Sequence, residues 1–238
     1  TTTRKIHELS GIDMWFLEHL RTITDAEHTI SKRLTKQSLL DAKKLGFSDH
    51  AIGKLHATSE HDIRKRRLRH GIRPVIKQID TLAGEFEAHT NYLYVTYHGT
   101  EHDVGPLGKS AAIIMGSGPY CIGSSVEFDW CAVNTAKTLH ASKRKTIIVN
   151  SNPETVSTDF DRSDRLFFEE LTFERMQDIA EFEQPFGIVV SSGGQIANNL
   201  ALPLHKAGHK ILGTSPEDID RAEDRQKFSA MLHGIGID

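Results

Sequence analysis

Two cysteines in 238 residues, Cys121 and Cys131, are too few for a disulfide scaffold. They fall in one expected loop-helix unit and read as free thiols of a reducing compartment, the cytoplasm or, as the alternative, the mitochondrial matrix. No apolar run approaches the length that crosses a bilayer, and the opening TTTRKIHELS lacks the apolar core of a secretory signal, so no membrane association is expected. Charge of one sign is also lacking. The net charge of −3 leaves no bulk electrostatic footprint for nucleic acid. Histidines are plentiful at 14, yet scattered. Even the closest useful pair, His56 and His61, does not share a helical face, so no metal site is expected. What remains is a globular composition, 38% hydrophobic and 26% charged.

The two halves differ. Residues 1–105 carry 16 Lys and Arg against 14 Asp and Glu, while 106–238 carry 13 against 18. Gly and Pro in Val104-Gly105-Pro106-Leu107-Gly108 interrupt helix and strand alike and mark a linker there. Two domains are expected, an all-α domain over 1–105 and an α/β domain over 106–238.

In the first half, Ile12, Phe16, Leu20 and Ile23 recur at helical spacing, which predicts one amphipathic helix over Leu9–Ile23 with Ser10 as its cap. Shorter helices follow over Lys36–Leu45, from Ser48 to Leu55, and from Ser59 to the stop at Gly71 and Pro74. The last carries Arg64, Lys65, Arg66, Arg67 and Arg69. Few aromatics interleave with these charges, so a solvated basic face is expected rather than a nucleic-acid recognition helix. From Val75 to Tyr97 the pattern reads as a connecting segment with an extended, aromatic end. Nothing in this half concentrates chemistry, which suits an assembly or spacer module.

The second half alternates strand, loop and helix. Strands are expected at Ala111–Met115, Thr146–Val149, Gly187–Val190 and Lys210–Gly213, with a short edge strand at Arg165–Phe168. Helices are expected from Ser124 or Ser125 to His140, over Thr172–Glu183, through Lys206, and over Arg221–Leu232. This alternation implies a Rossmann-like, doubly wound parallel sheet, whose ligands gather at the carboxyl ends of the strands.

Three loops at those ends carry the candidate residues. The first holds Gly116 and Gly118, the opening of a dinucleotide fingerprint whose third glycine is displaced to Gly123, with Cys121 in its expected place. The second is a dense polar run with Asn152, Pro153 and Glu154, and the third holds Gly193, Gly194 and Gln195. Glu127 and Asp129 open the first helix, where carboxylates also complement the helix dipole. A nicotinamide-binding enzyme is the reading that the glycines alone would support.

Longer stretches carry a resemblance. GSGPYCIGSSVEFDWCAV (116–133), VNSNPETVSTDFDRSDRLFFE (149–169), SSGGQIANNLALPL (191–204) and GTSPEDIDRAEDRQKF (213–228) together resemble the large synthetase component of carbamoyl phosphate synthetase. GFSDHAIGKL (46–55), IRPVIKQIDTLAGEF (72–86) and TNYLYVTY (90–97) resemble that family's oligomerisation domain. The resemblance implies a ligase making carbamoyl phosphate from bicarbonate, ammonia and two ATP. It implies two homologous halves, each a pre-ATP-grasp domain followed by an ATP-grasp fold. On that basis the chain is expected to be a fragment, N-terminally truncated in the oligomerisation domain and lacking both ATP-grasp units. ATP and Mg (or Mn) would then bind mainly outside it, and no catalytic residue would lie within it.

The resemblance also implies partners: the ATP-grasp domains of the same chain, a glutaminase domain or subunit if glutamine is the donor, and a homo-oligomer through residues 1–105. Glu127 and Glu154 match family glutamates lining a tunnel through which carbamate passes. Bacterial members read PNRIG where this chain reads Pro119-Tyr120-Cys121-Ile122-Gly123, so Cys121 stands where the tunnel arginine would be. SSVEFDW is similar to eukaryotic members. The nitrogen donor, glutamine or free ammonia, stays open.

Overall fold

A computed structural model describes residues 2–119 and 126–237. The chain divides into two compact units, Thr1–Val75 with Thr96–Thr100, and Ile76–Val95 with Glu101–Asp238.

The first unit is helical, with α1 (Thr3–Ser10), α2 (Met14–Lys32), α3 (Lys36–Lys44), α4 (Asp49–Leu55) and α5 (Glu60–Arg69). Thr35, Ser48 and Ser59 cap the last three through their hydroxyls. The single helix expected over Leu9–Ile23 is instead a pair. Gly11 takes φ +71°, a left-handed conformation that ends α1, and Asp13 rather than Ser10 caps α2, accepting the Trp15 N–H at 2.8 Å.

The core of this unit is Ile30, Leu34, Leu39, Ala42, Ile52, Ile63, Ile72 and Tyr97. The basic run on α5 is not the solvated face expected of it. Arg64 and Arg67 share a helical face with Ile63 and are buried with it. Arg67 Nε lies 2.7 Å from Asp49 Oδ2, and Lys43 Nζ lies 3.2 Å from Asp49 Oδ1. The two cations sit over the Tyr97 ring, 5.9 and 5.4 Å from its centroid. A buried carboxylate thus neutralises cations that a polar sequence reading places in water.

The second unit is α/β. Its elements are β1 (Val75–Gln78), β2 (Tyr92–Thr96), β3 (Ala111–Met115), α6 (Glu127–Ala141), β4 (Lys145–Asn150), β5 (Arg165–Phe168), α7 (Phe173–Glu183), β6 (Ile188–Val189), α8 (Gly194–Lys206), β7 (Ile211–Leu212), α9 (Pro216–Glu223) and α10 (Arg225–Gly234). They build a seven-stranded sheet in the order β1-β2-β5-β4-β3-β6-β7. The pairs from β2 to β7 are parallel. In register, Ala111 faces Lys145 and Met115 faces Val149, while Ile113 faces Ile188 on the other side. All five residues of β3 are fully buried, as a central parallel strand covered on both faces requires.

Three expectations are corrected. The segment from Val75 is not a connection belonging to the helical half, because Ile76, Leu93 and Val95 join the sheet's core cluster and β1 and β2 extend the sheet. For the same reason β5 is not an edge strand. It lies between β2 and β4, with Leu166 and Phe167 fully buried. The final helix is two, because Asp224 leaves helical geometry at ψ 114° and caps α10 by accepting the Gln226 and Lys227 N–H groups. The expected helix start at Ser124 or Ser125 lies outside the described residues.

Replacing Asp49 tests the buried charge cluster. Asp49→Ala removes the carboxylate that two buried cations face and should lower stability by about 3–5 kcal/mol in urea denaturation followed by circular dichroism. Glu8→Ala, which removes an exposed partner of Arg4 and Lys5, should leave the midpoint unchanged. An Asp49 variant within about 1 kcal/mol of the parent would show that the cluster does not hold the helices together.

Candidate functional site

With β2 to β7 parallel, the connections after β3, β4 and β6 leave from one edge of the sheet. The chain moves from β3 to β4 on one side and later returns to β6 on the other, so β3 marks the point where strand order reverses. Open parallel sheets place their ligand crevices there.

The loops at this edge interlock through Asn150, the buried last residue of β4. Its Oδ1 accepts the Gly118 N–H at 3.0 Å and lies 3.4 Å from the Asn152 nitrogen, while Nδ2 is 3.5 Å from Thr155 Oγ1. A Cβ on Gly116 would lie 2.5 Å from Asn150 Cγ, and one on Gly193 would lie 2.5 Å from the Gly116 carbonyl oxygen. One on Gly194 would meet the Phe128 ring at 2.8 Å. The glycines are therefore spent on close packing of three loops. The Gly118 N–H that would face a dinucleotide's pyrophosphate is already bound by Asn150, so the geometry gives the incomplete fingerprint a packing role.

Asn152 is buried and its Oδ1 accepts the Glu154 N–H at 2.9 Å across Pro153, an Asx turn that fixes the start of the β4–β5 connection. Asp129 ties this connection to α6. Its two carboxylate oxygens accept the Val156 and Ser157 N–H groups, each at 3.0 Å, at the start of the 3-10 turn Val156–Thr158. Glu127 stands two residues before Asp129, and Glu154 two residues before Val156, so the two expected tunnel glutamates flank one tie. Both are exposed, and neither side chain has a hydrogen bond or ion pair among the described residues. Gln195 is drawn elsewhere, donating along α8 to Asn199 at 3.0 Å. Cys121 lies outside the described residues.

The structure adds residues that sequence patterning passes over. Asn150 carries the interlock, and only its polarity at a strand end signalled it, while Asp129, singled out at the helix start, proves to be the tie to the β4–β5 connection. Glu169 directly follows β5 at the same edge. Burial raises its carboxyl above the usual glutamate range, although Arg175 Nε at 3.3 Å and the Val95 N–H at 2.6 Å both favour the charged form.

Residues 1–71 match the carbamoyl-phosphate synthetase large chain oligomerisation domain, and residues 108–221 match the carbamoyl phosphate synthase preATP-grasp domain. The carbamoyl phosphate synthase arginine-specific large chain, mitochondrial, of Neurospora crassa is 52% identical over 98% of this chain and 20% of its own length. The mitochondrial carbamoyl-phosphate synthase (ammonia) of Homo sapiens is 53% identical over 98% of this chain and 16% of its own. A multifunctional protein of Saccharomyces cerevisiae is 51% identical over 98% of this chain and 11% of its own. The chain thus spans a fifth or less of the length of these relatives.

The Glu169 carboxyl makes the edge sensitive to pH in a defined direction. Its folded-state value lies above the ordinary 4.5, so between the two values the folded protein holds the extra proton. Stability from this group is full below 4.5 and is lost as pH rises through the raised value. Thermal midpoints measured across that window should fall less steeply in Glu169→Gln, which keeps an acceptor for Val95. Parallel curves for variant and parent would rule the effect out.

Proposed function

The chain belongs to the carbamoyl phosphate synthetase large-chain family, and from that membership we propose that it serves an ATP-dependent ligase that makes carbamoyl phosphate from bicarbonate, ammonia and two ATP. Its α/β unit supplies part of the wall of a carbamate conduit. The observation that carries this reading is the pair Glu127 and Glu154, exposed and without a side-chain partner among the described residues, on either side of the Asp129 tie at the carboxyl edge of the sheet. Carbamate is an anion that decomposes in bulk water. Carboxylates beside its path discourage tight binding, and loops that close-pack around Asn150 limit water entry from the sheet side. The role is transit, not chemistry at a reacting atom.

ATP and its Mg (or Mn) ion supply the phosphoryl group and its charge stabilisation in such a ligase. The residues at this edge do not fit them. The Gly118 N–H is committed to Asn150, and among the described residues no three His, Cys, Asp or Glu side chains gather to hold a metal. We therefore assign nucleotide binding to other domains of the parent protein, with a glutaminase domain or subunit as a further partner where glutamine is the donor. The relatives named as mitochondrial favour the matrix over the cytoplasm as its compartment.

The helical unit reads as an assembly surface. Leu9, Trp15, Phe16 and Leu20 of the α1–α2 pair are 74, 63, 57 and 56% exposed, joined by Ile6, Ile12 and Ile23. A stripe this large on a water-exposed helix pair suits burial against a second copy.

In the parent enzyme, Glu127→Gln with Glu154→Gln should lower carbamoyl phosphate synthesis by tenfold or more while bicarbonate-dependent ATP hydrolysis continues. Undiminished synthesis in the double variant would sink the conduit assignment. For assembly, Trp15→Glu with Leu20→Glu should move the chain to monomer in sedimentation velocity at concentrations where the parent associates. A parent chain that is monomeric at high concentration would count against this surface.

A further inference from the structure

The two elements tied together by Asp129 also frame a cleft further along. Beyond Asp129, α6 presents Lys137 and His140 one turn apart, and the β4–β5 connection presents Asp161, Arg162, Ser163 and Asp164 opposite them. Ala136 also lines the cleft, and the space is about 280 Å³, at the small end for ligand sites. The cleft is distinct from the carboxyl edge, where Glu127 and Glu154 stand.

Its charges are unequally committed. Asp164 Oδ2 accepts the Thr146 N–H at 2.8 Å and lies 3.2 Å from the Thr146 hydroxyl. Asp161 Oδ1 lies 3.2 Å from Arg162 Nε. Asp164 is thus held within the chain, while Asp161 is ion-paired with Arg162, whose Nε has no hydrogen-bond partner among the described residues. The side chains of Lys137 and His140 have no hydrogen bond or ion pair among the described residues, and the side-chain ion pairs of Arg162 run through Nε, which leaves the donors of its terminal nitrogens available. What is left unmet is a set of hydrogen-bond donors, on Lys137, His140 and the Arg162 terminal nitrogens, which call for an anionic acceptor beside the Asp161 and Asp159 ion pairs of Arg162. Donors that approach from two positions of a helix and from a facing loop match three oxygens of a tetrahedral group better than the two coplanar oxygens of a carboxylate.

We propose that this cleft binds the phosphate group of a small phosphomonoester, held by Lys137, His140 and Arg162. The phosphate bridges α6 to the β4–β5 connection, the same two elements joined by Asp129, and the space left beside it accommodates a small organic group. The site lies within the α/β unit and does not depend on the conduit reading.

The test titrates the isotope-labelled chain with inorganic phosphate and with glycerol phosphate, at constant ionic strength, and follows backbone amide shifts. Saturable shifts confined to 136–141 and 161–164 are expected, with glycerol phosphate binding more tightly than inorganic phosphate. Lys137→Ala with His140→Ala should weaken both affinities at least about tenfold, a loss of about 1.4 kcal/mol. Both side chains are solvent-exposed, so the ligand-free thermal midpoint should not move. Unsaturable shifts that chloride reproduces, or unchanged affinity in the double variant, would overturn the site. Equal affinity for phosphate and its ester, or for succinate, would overturn its assignment to a phosphomonoester.

Discussion

The carboxyl edge of the sheet depends on one buried amide. Asn150 ends β4 inside the protein, where an unsatisfied polar group would be costly, and it resolves that cost by binding the loop after β3 and its own β4–β5 connection. The third loop then closes on the first through Gly193, where a side chain would strike the Gly116 carbonyl. The result is a close-packed shelf made from irregular backbone. The conduit wall we propose needs such packing, since a loose loop admits water and an unstable anion would be lost.

The helical unit solves a different problem with the opposite material. Its inside contains charge, as Asp49 holds Arg67 and Lys43 beneath Tyr97, while its outside displays Leu9, Trp15 and Phe16. A buried pair contributes little net stability once its desolvation is counted, but it penalises any arrangement that separates its members. The assembly role we propose needs charge within and apolar surface without: a fixed internal packing of short helices, and hydrophobic area left for a second copy.

Helix α6 and the β4–β5 connection are joined twice, by Asp129 near the carboxyl edge and, in our proposal, by a phosphate further along. Glu127 and Glu154 stand beside the first junction. Occupation of the cleft would therefore restrain the same backbone that carries Glu127 and Glu154, without any ligand reaching them.

The sequence by itself determined most element types, most caps, the parallel α/β character of the second half and the gathering of three loops at one edge. Such features are local, or follow from strand-helix alternation, and Ser48 and Ser59 capped their helices as their spacing demanded. The quoted motifs also carried the family. Only the tertiary structure decided that Arg67 is buried, that β5 is interior because β1 and β2 lie beyond it, and that Gly116 and Gly193 serve packing. Each depends on a partner distant in the chain: Asp49 for Arg67, Leu93 for Phe167, Asn150 for Gly116. A charged or glycine-rich stretch reads as solvated or ligand-binding until the group that meets it is known, and the folding of the whole chain supplies that group.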